Sequence, residues 1–231
     1  NLFHRPSLAF AGGFDVAVAR DTTPSEHRAT IDAGLVASPD RARFTSFLRA
    51  YQRSQALFIG LRDLNRQSPL ESVSLSLSDL AEAIIRGALA FGMAETDWPK
   101  ASWKEARNDE AGGFCVLALG KLGYQEIDYV SDLDLIFLYD EGPGPAGARH
   151  ADANRLARII MELLTSITRE GALYAVDTRL RPFGAEGELC QPARRLEDYI
   201  ASTAAIWELQ SLLKARPIAG DHEWGNDVAA R

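Results

Sequence analysis

Residues 131–140 read SDLDLIFLYD, and they constrain the fold more than any other segment. Asp132 and Asp134 are one residue apart, so both side chains lie on one face of an extended strand. The apolar residues that follow are typical of a central strand covered on both faces. A bridging divalent cation commonly resolves such a carboxylate pair. We therefore predict a metal site at one end of a sheet. In the alternative, the first acid caps a turn and the second ends a solvated strand.

The residues before this strand support the metal-site interpretation. A second apolar run, residues 114–119, predicts a neighbouring strand. Gly120, Lys121 and Gly123 then provide a turn with flexible backbone and a cation. A hydroxyl, that of Ser131, directly precedes the first acid. Strand, glycine turn, hydroxyl and acid pair together predict a cradle for a metal-bound triphosphate.

A third acid lies in the segment LYAVDTRLRP, residues 173–182, which the alternation predicts to be a strand. Asp177 is followed by Arg179 and Arg181. Three acids on adjacent strands beside arginines suit phosphoryl or nucleotidyl transfer. The alternative is an ion pair between Asp177 and Arg179 at a strand end, which contributes little on an exposed surface.

Three blocks of sequence carry a specific resemblance: GKLGYQEIDYVSDLDLIFLYD, LYAVDTRLRPFGAEGEL and WELQSLLKARPIAGD. They resemble successive signature blocks of the bacterial glutamine synthetase adenylyltransferases, also called glutamate-ammonia ligase adenylyltransferases. The similarity covers roughly residues 40–221. It implies an α+β fold of the nucleotidyltransferase superfamily, a mixed sheet with flanking helices and helical N- and C-terminal parts.

The resemblance also implies a set of site residues. The catalytic and metal-binding positions, expected to hold Mg²⁺ and most simply two ions, are Asp132, Asp134 and Asp177. The positions expected along the nucleotide are Gly120, Lys121, Gly123, Ser131, Arg179 and Arg181. Contact with phosphate or the acceptor protein is expected of Lys214 and Arg216, although cations in a last helical turn are also ordinary partners of the helix dipole.

Members of this family attach AMP from ATP to a tyrosine of glutamine synthetase, or remove it by phosphorolysis to ADP. They carry two such domains in tandem, and a chain of 231 residues holds one. We expect the transferase half, with glutamine synthetase as protein substrate and a PII signal protein as a partner of the longer enzyme. The alternatives are the removing half and a catalytically weak regulatory module. Tyr124 and Glu186 depart from the family pattern and put activity in doubt.

Charge and composition exclude several other classes of function. The net charge of −7 disfavours nucleic acid as a partner, because affinity for that polyanion comes largely from Lys and Arg. Sugar transferases that use a DxD motif typically carry it in a loop after a strand, whereas these acids begin one. No apolar run is long enough to cross a membrane, and two cysteines suit a reduced cytoplasmic protein.

The chain is expected to be helical first and mixed afterwards. We predict a weakly patterned arm over residues 1–37, a helical region over 38–110, the nucleotidyltransferase core over 111–190, and a C-terminal helical segment over 191–231 that is truncated. Within these regions helices are expected to begin at Ser38 and at Ser78 and to cover residues 154–168 and 196–215. Cys190 is expected in a loop.

Overall fold

A computed structural model describes residues 20–38, 40–65, 68–96, 98, 112–142, 147, 149–168 and 171–230. Eight helices lie in these ranges: α1 Pro24–Ala37, α2 Arg41–Leu64, α3 Leu70–Glu95, α4 Gly120–Gly123, α5 His150–Thr165, α6 Ala193–Ser202, α7 Ile206–Leu212 and α8 His222–Ala229. The strands are β1 Phe114–Ala118, β2 Leu133–Tyr139, β3 Val176–Asp177, β4 Cys190–Pro192 and β5 Arg216–Gly220. The expected α+β class, with a mixed sheet and helical flanks, is confirmed.

The sheet is built around β1 and β2, which pair antiparallel. On the outer side of β1 lies β5, also antiparallel. The other edge of β2 pairs with two short parallel strands, with β3 at the start of β2 and with β4 at its end. The parallel pairing of β2 and β3 is made possible by α5, which crosses between them as the sequence predicts.

Both faces of the sheet are covered, which explains the continuous apolar runs of β1 and β2. One face, with Phe114, Val116, Leu135 and Phe137, belongs to the larger core together with α1, α2, α3 and α5. The other face, with Leu117, Ile136 and Leu138, packs against residues of α6 and α8. The polar site is therefore confined to the ends of the strands.

Residues 24–37 of the predicted weakly patterned arm form α1, which packs on α3. The Thr23 side chain accepts a hydrogen bond from the Glu26 backbone N–H, and the Glu26 carboxylate accepts one from the Thr23 N–H at 2.9 Å. With Pro24 in the first turn, these residues form a helix start. The first 19 residues lie outside the described part of the chain.

The predicted starts of the next two helices are also corrected. Asp40 caps α2, because its carboxylate accepts from the Arg43 N–H at 2.9 Å. The third helix begins at Leu70, eight residues before the expected Ser78. Serines alternate with apolar residues over this stretch and hide the helical period. Within the helix, the Ser76 hydroxyl donates a hydrogen bond to the Ser72 carbonyl.

The C-terminal part contains more strand than expected. The helix predicted over 154–168 runs from His150 to Thr165. The single helix predicted over 196–215 is two helices, α6 and α7, separated at residues 203–205. After α7 the chain forms β5, and Cys190 is a buried residue of β4 rather than a loop residue.

Two further properties concern the described residues as a whole. Both cysteines, Cys115 and Cys190, are buried and free. Within the described ranges, no helix combines the length and apolar character that crossing a membrane requires.

Candidate active site

The predicted acids meet where β1 ends and β2 begins. Because the two strands are antiparallel, the carboxyl end of β1 lies beside the amino end of β2, and the Leu119 N–H donates to the Asp134 carbonyl at 2.9 Å. The parallel register of β3 places Asp177 directly opposite Asp134. Two of the three predicted carboxylates are therefore neighbours across a strand pair. Asp132 stands just before β2 and is exposed.

A glycine is required beside Asp134. Gly120 begins the single helical turn α4 with φ of +51°, a conformation that side chains disfavour. A Cβ atom on Gly120 would lie 2.1 Å from the Asp134 Oδ2 atom. The absence of a side chain thus gives the Asp134 carboxylate its place against the turn, so the glycine turn and the first acid pair form one structural unit.

Among the three acids, Asp134 has a pKa that its surroundings raise. It is partly buried near the start of β2. Desolvation by burial raises the pKa of Asp134, and the like charges of Asp132 and Asp177 raise it further, while Arg179 lowers it. Three acids therefore influence one another at this end of the sheet.

Asp177 is held by an arginine two residues later in the chain. The Arg179 Nε atom lies 3.0 Å from Oδ1 and 2.9 Å from Oδ2 of Asp177, and its Nη2 atom lies 2.5 Å from Oδ2. The Arg179 backbone N–H donates to Oδ1 at 2.8 Å. Hydrogen bonds from Arg179 hold the pKa of Asp177 below its ordinary value. The ion pair weighed from the sequence as an alternative is present.

The two arginines of the DTRLR segment have different environments. Arg181 is buried, and its guanidinium donates to the carbonyls of Thr178, Ala185 and Gly187 and to the Thr178 hydroxyl. It thereby holds together the loop after β3. Arg179 is largely exposed, so it is the arginine with freedom to meet a ligand.

Lys121 and Ser131 lie together, but around an acid that sequence analysis missed. The Lys121 Nζ atom lies 3.0 Å from Asp128 Oδ2 and 3.4 Å from the Ser131 hydroxyl. Asp128 accepts from the Val130 N–H, and this bond, with those from Lys121 and Ser131, lowers its pKa to about 2. An Asp followed by a serine three residues later is a turn pattern that could have predicted this cluster.

Lys214 and Arg216, the predicted cations after α7, contact the glycine turn. The Arg216 guanidinium pairs with Glu82 of α3 at 2.5 Å and donates to the Leu122 carbonyl at 3.1 Å. A Cβ atom on Gly123 would lie 2.5 Å from the Lys214 carbonyl oxygen. Gly123 and Arg216 therefore fix the position of α4. Glu82 gave no signal in the sequence, because it lies far from the motif in the chain.

The two departures from the family pattern have distinct surroundings. The Tyr124 ring is half exposed, and the Lys214 ammonium lies 5.4 Å from its centroid. This cation–π contact joins the end of the glycine turn to the segment after α7. Glu186 is an exposed residue of a short 3₁₀ turn in the loop after β3.

The residues present suit a hard divalent cation in chemistry. Carboxylate oxygens are the preferred ligands of Mg²⁺, and Gly120 leaves space for one of them. In the described part of the chain, however, no three His, Cys, Asp or Glu side chains are arranged to hold a metal ion. Arg179 engages both oxygens of Asp177. The Mg²⁺ site stays a prediction.

Fold and site together define a class of protein. A mixed sheet with a glycine turn between β1 and β2, an acid on β2 and an acid opposite it on β3 has the arrangement of a nucleotidyltransferase domain.

Sequence comparison names the family. The profile of the glutamate-ammonia ligase adenylyltransferase family matches residues 14–230, so the chain belongs to that family. It is 33% identical over 228 residues to the bifunctional glutamine synthetase adenylyltransferase/adenylyl-removing enzyme of Thioalkalivibrio sulfidiphilus, covering 97% of this chain and 23% of the relative. The enzyme of the same name from Neisseria meningitidis serogroup B is 39% identical over 176 residues, covering 76% and 18%. The chain thus spans about a fifth of the length of the curated relatives it matches.

Proposed function

We propose that this chain is a nucleotidyltransferase domain that transfers AMP between a nucleotide and a tyrosine of glutamine synthetase. The observation that supports the proposal most strongly is the placement of Asp134 opposite Asp177, with the Asp134 carboxylate against the Gly120 turn. Family membership supports the reaction type, and the relatives' name identifies glutamine synthetase as their protein substrate.

The transfer direction is the proposed reaction. The tyrosine oxygen attacks the α-phosphorus of ATP, and the bond from this phosphorus to the oxygen that bridges to the β-phosphorus breaks. Pyrophosphate leaves, and the phenolic proton passes to solvent. In the removal direction, a phosphate oxygen attacks the phosphorus of the AMP-tyrosine bond, releasing tyrosine and ADP. The same site would serve both, because both form and break a bond at the same phosphorus.

The roles of the residues follow from their positions. Asp132, Asp134 and Asp177 would hold Mg²⁺, which supplies charge neutralisation on the transferred phosphoryl group. Lys121, with Ser131 at its ammonium, and Arg179 are the exposed donors that would meet the phosphates. Arg181, Gly123 and Arg216 would act by fixing the loop and the turn. A PII signal protein as partner and a cytoplasmic location belong to the same proposal.

Asp134→Asn tests the site directly. The amide keeps the shape of the carboxylate and removes a charge from a crowded group, so folding is expected to be unimpaired while turnover falls by at least about 1,000-fold. The matched control is Asp140→Asn at the opposite end of β2, an exposed acid that should change turnover less than about twofold. Near-normal AMP transfer by Asp134→Asn in the presence of Mg²⁺ would reject the proposed site.

A further inference from the structure

The carboxylate and the guanidinium of the Asp177–Arg179 pair differ sharply in exposure. The side chain of Asp177 is 16% exposed and that of Arg179 is 78% exposed. The Arg179 side chain approaches both carboxylate oxygens, and its backbone N–H occupies one of them as well. Asp177 is therefore fixed by β3 and the turn, whereas the guanidinium that covers it projects into solvent.

Arg179 also lies where a cation is needed. Asp177 is in register with Asp134, which in turn lies near Asp132. Three carboxylates at the end of a sheet repel one another unless a positive charge lies among them. In this structure the guanidinium supplies that charge to the oxygens that a divalent cation would ligate. The Asp177 oxygens therefore bind the cation more weakly while they accept hydrogen bonds from Arg179.

The Arg179 side chain is free to leave. Arg181, its neighbour in the motif, is buried and bonded to four oxygens of its own loop, so releasing it would break the loop. Within the described part of the chain, the hydrogen bonds that Arg179 donates all go to Asp177. Because the Arg179 side chain is 78% exposed, its guanidinium stays hydrated when it rotates into solvent, and a cation that takes its place keeps the Asp177 carboxylate paired.

We propose that Arg179 is a displaceable counter-ion that competes with the divalent cation for Asp177. This inference rests on the proposed function and extends it. Without nucleotide, Arg179 covers Asp177 and weakens binding of the cation. When the cation arrives with nucleotide, the guanidinium leaves Asp177 and its donors become available to the phosphate oxygens. Arg179 thereby couples cation binding to nucleotide binding.

The test is titration of the protein with Mn²⁺ alone, without nucleotide. Binding is measured by calorimetry and by the electron paramagnetic resonance signal of free Mn²⁺. Arg179→Gln should bind Mn²⁺ at least about fivefold more tightly than the parent chain, because the competing charge is removed from Asp177. Arg179→Lys, which keeps the charge and loses the planar fork, should lie between them.

Two control variants separate competition from a general change in charge. Arg20→Gln removes a positive charge from an exposed residue paired with Glu26, not with Asp177, and should change Mn²⁺ affinity less than about twofold. Arg179→Gln combined with Asp177→Asn should lose the gain, since the oxygens in contention are then altered. Circular dichroism and thermal unfolding should be unchanged in Arg179→Gln, because the side chain is exposed.

The outcomes distinguish this inference from the proposed function. If Arg179→Gln binds Mn²⁺ no more tightly than the parent chain, or less tightly, Arg179 does not compete and the inference is overturned while the metal site survives. If neither protein binds Mn²⁺ at millimolar concentration, the metal site itself fails, and the proposed function and this inference fall together.

Discussion

At the residue scale, a missing side chain shapes the site more than any charged one. Gly120 has positive φ, and its Cα lies so near Asp134 that a Cβ would overlap the carboxylate. The sequence indicated that this glycine belongs to a flexible turn near phosphate. The structure adds a second role, which depends on a contact across the strand pair and therefore could not be predicted from local sequence.

Gly120→Ala should therefore displace the Asp134 carboxylate. We expect AMP transfer to fall by at least about 100-fold, since a shift of about 1 Å in a catalytic group is enough for such a loss. The matched control is Gly171→Ala. Gly171 also has positive φ, +82°, but a Cβ there meets nothing within 4 Å.

Both alanine variants should lose about 1–2 kcal/mol of stability from the left-handed backbone conformation. Only Gly120→Ala should lose activity, as measured by initial rates at saturating nucleotide alongside urea unfolding. Equal activity in the two variants would show that the contact between Gly120 and Asp134 has no functional weight.

The two arginines after Asp177 show the limit of residue patterns. The family resemblance implies one role for both, on the nucleotide. In the structure Arg181 is buried within its own loop and Arg179 projects into solvent. Burial depends on how the loop after β3 folds back, and no periodicity in DTRLRP encodes that path.

At the element scale, long regular elements were predictable and short ones were not. The buried strands β1 and β2 were identified because a covered strand must be apolar on both faces. By contrast, the strand predicted over residues 173–182 is only the two residues of β3, and β4, with three residues, was not predicted. The first helix was missed because its capping residues resemble a turn and its apolar face is weak.

The missed helix α1 carries a prediction of pH dependence. His27 is buried, and its Nδ1 atom lies 2.7 Å from the Tyr51 hydroxyl. Burial lowers the pKa of His27 to about 4, below its ordinary value of 6.5. The unfolded chain therefore binds this proton at a higher pH than the folded chain does. The stability that neutral His27 allows is present above pH 6.5 and is lost as the pH falls from 6.5 toward 4.

At pH 5 the loss from His27 should be about 2 kcal/mol relative to pH 7.5, measured by urea unfolding. His27→Gln, which does not titrate, should show a shallower decline over the same interval, and the difference between the two proteins isolates the histidine. Parallel pH profiles for the two proteins would mean that His27 is protonated in the folded state with an ordinary pKa.

At the scale of the whole molecule, the N-terminal helices and the C-terminal strand meet behind the site. Glu82 of α3 and Arg216 of β5 form an ion pair that also holds the carbonyls of the glycine turn. The sequence motifs predicted acids on adjacent strands, and Asp134 and Asp177 lie opposite each other on β2 and β3. The motifs did not predict this support, because the partners are separated by more than 100 residues and each has an ordinary local context.

Apolar side chains are exposed on α7 and at its end. None of the residues of α7 is buried, and Trp207 and Leu213 are largely exposed. The residue that follows Leu213 places its ammonium over Tyr124, so α7 adjoins the glycine turn.

The most direct measurement is the mass of the glutamine synthetase subunit after incubation with this chain and Mg²⁺. Unmodified synthetase is supplied with ATP, and adenylylated synthetase with phosphate. We expect the unmodified subunit to gain one AMP with release of pyrophosphate; loss of AMP with formation of ADP would instead assign the removing direction to the same site. An unchanged subunit mass in both reactions, from a folded protein, would contradict the account and favour a regulatory module without catalysis.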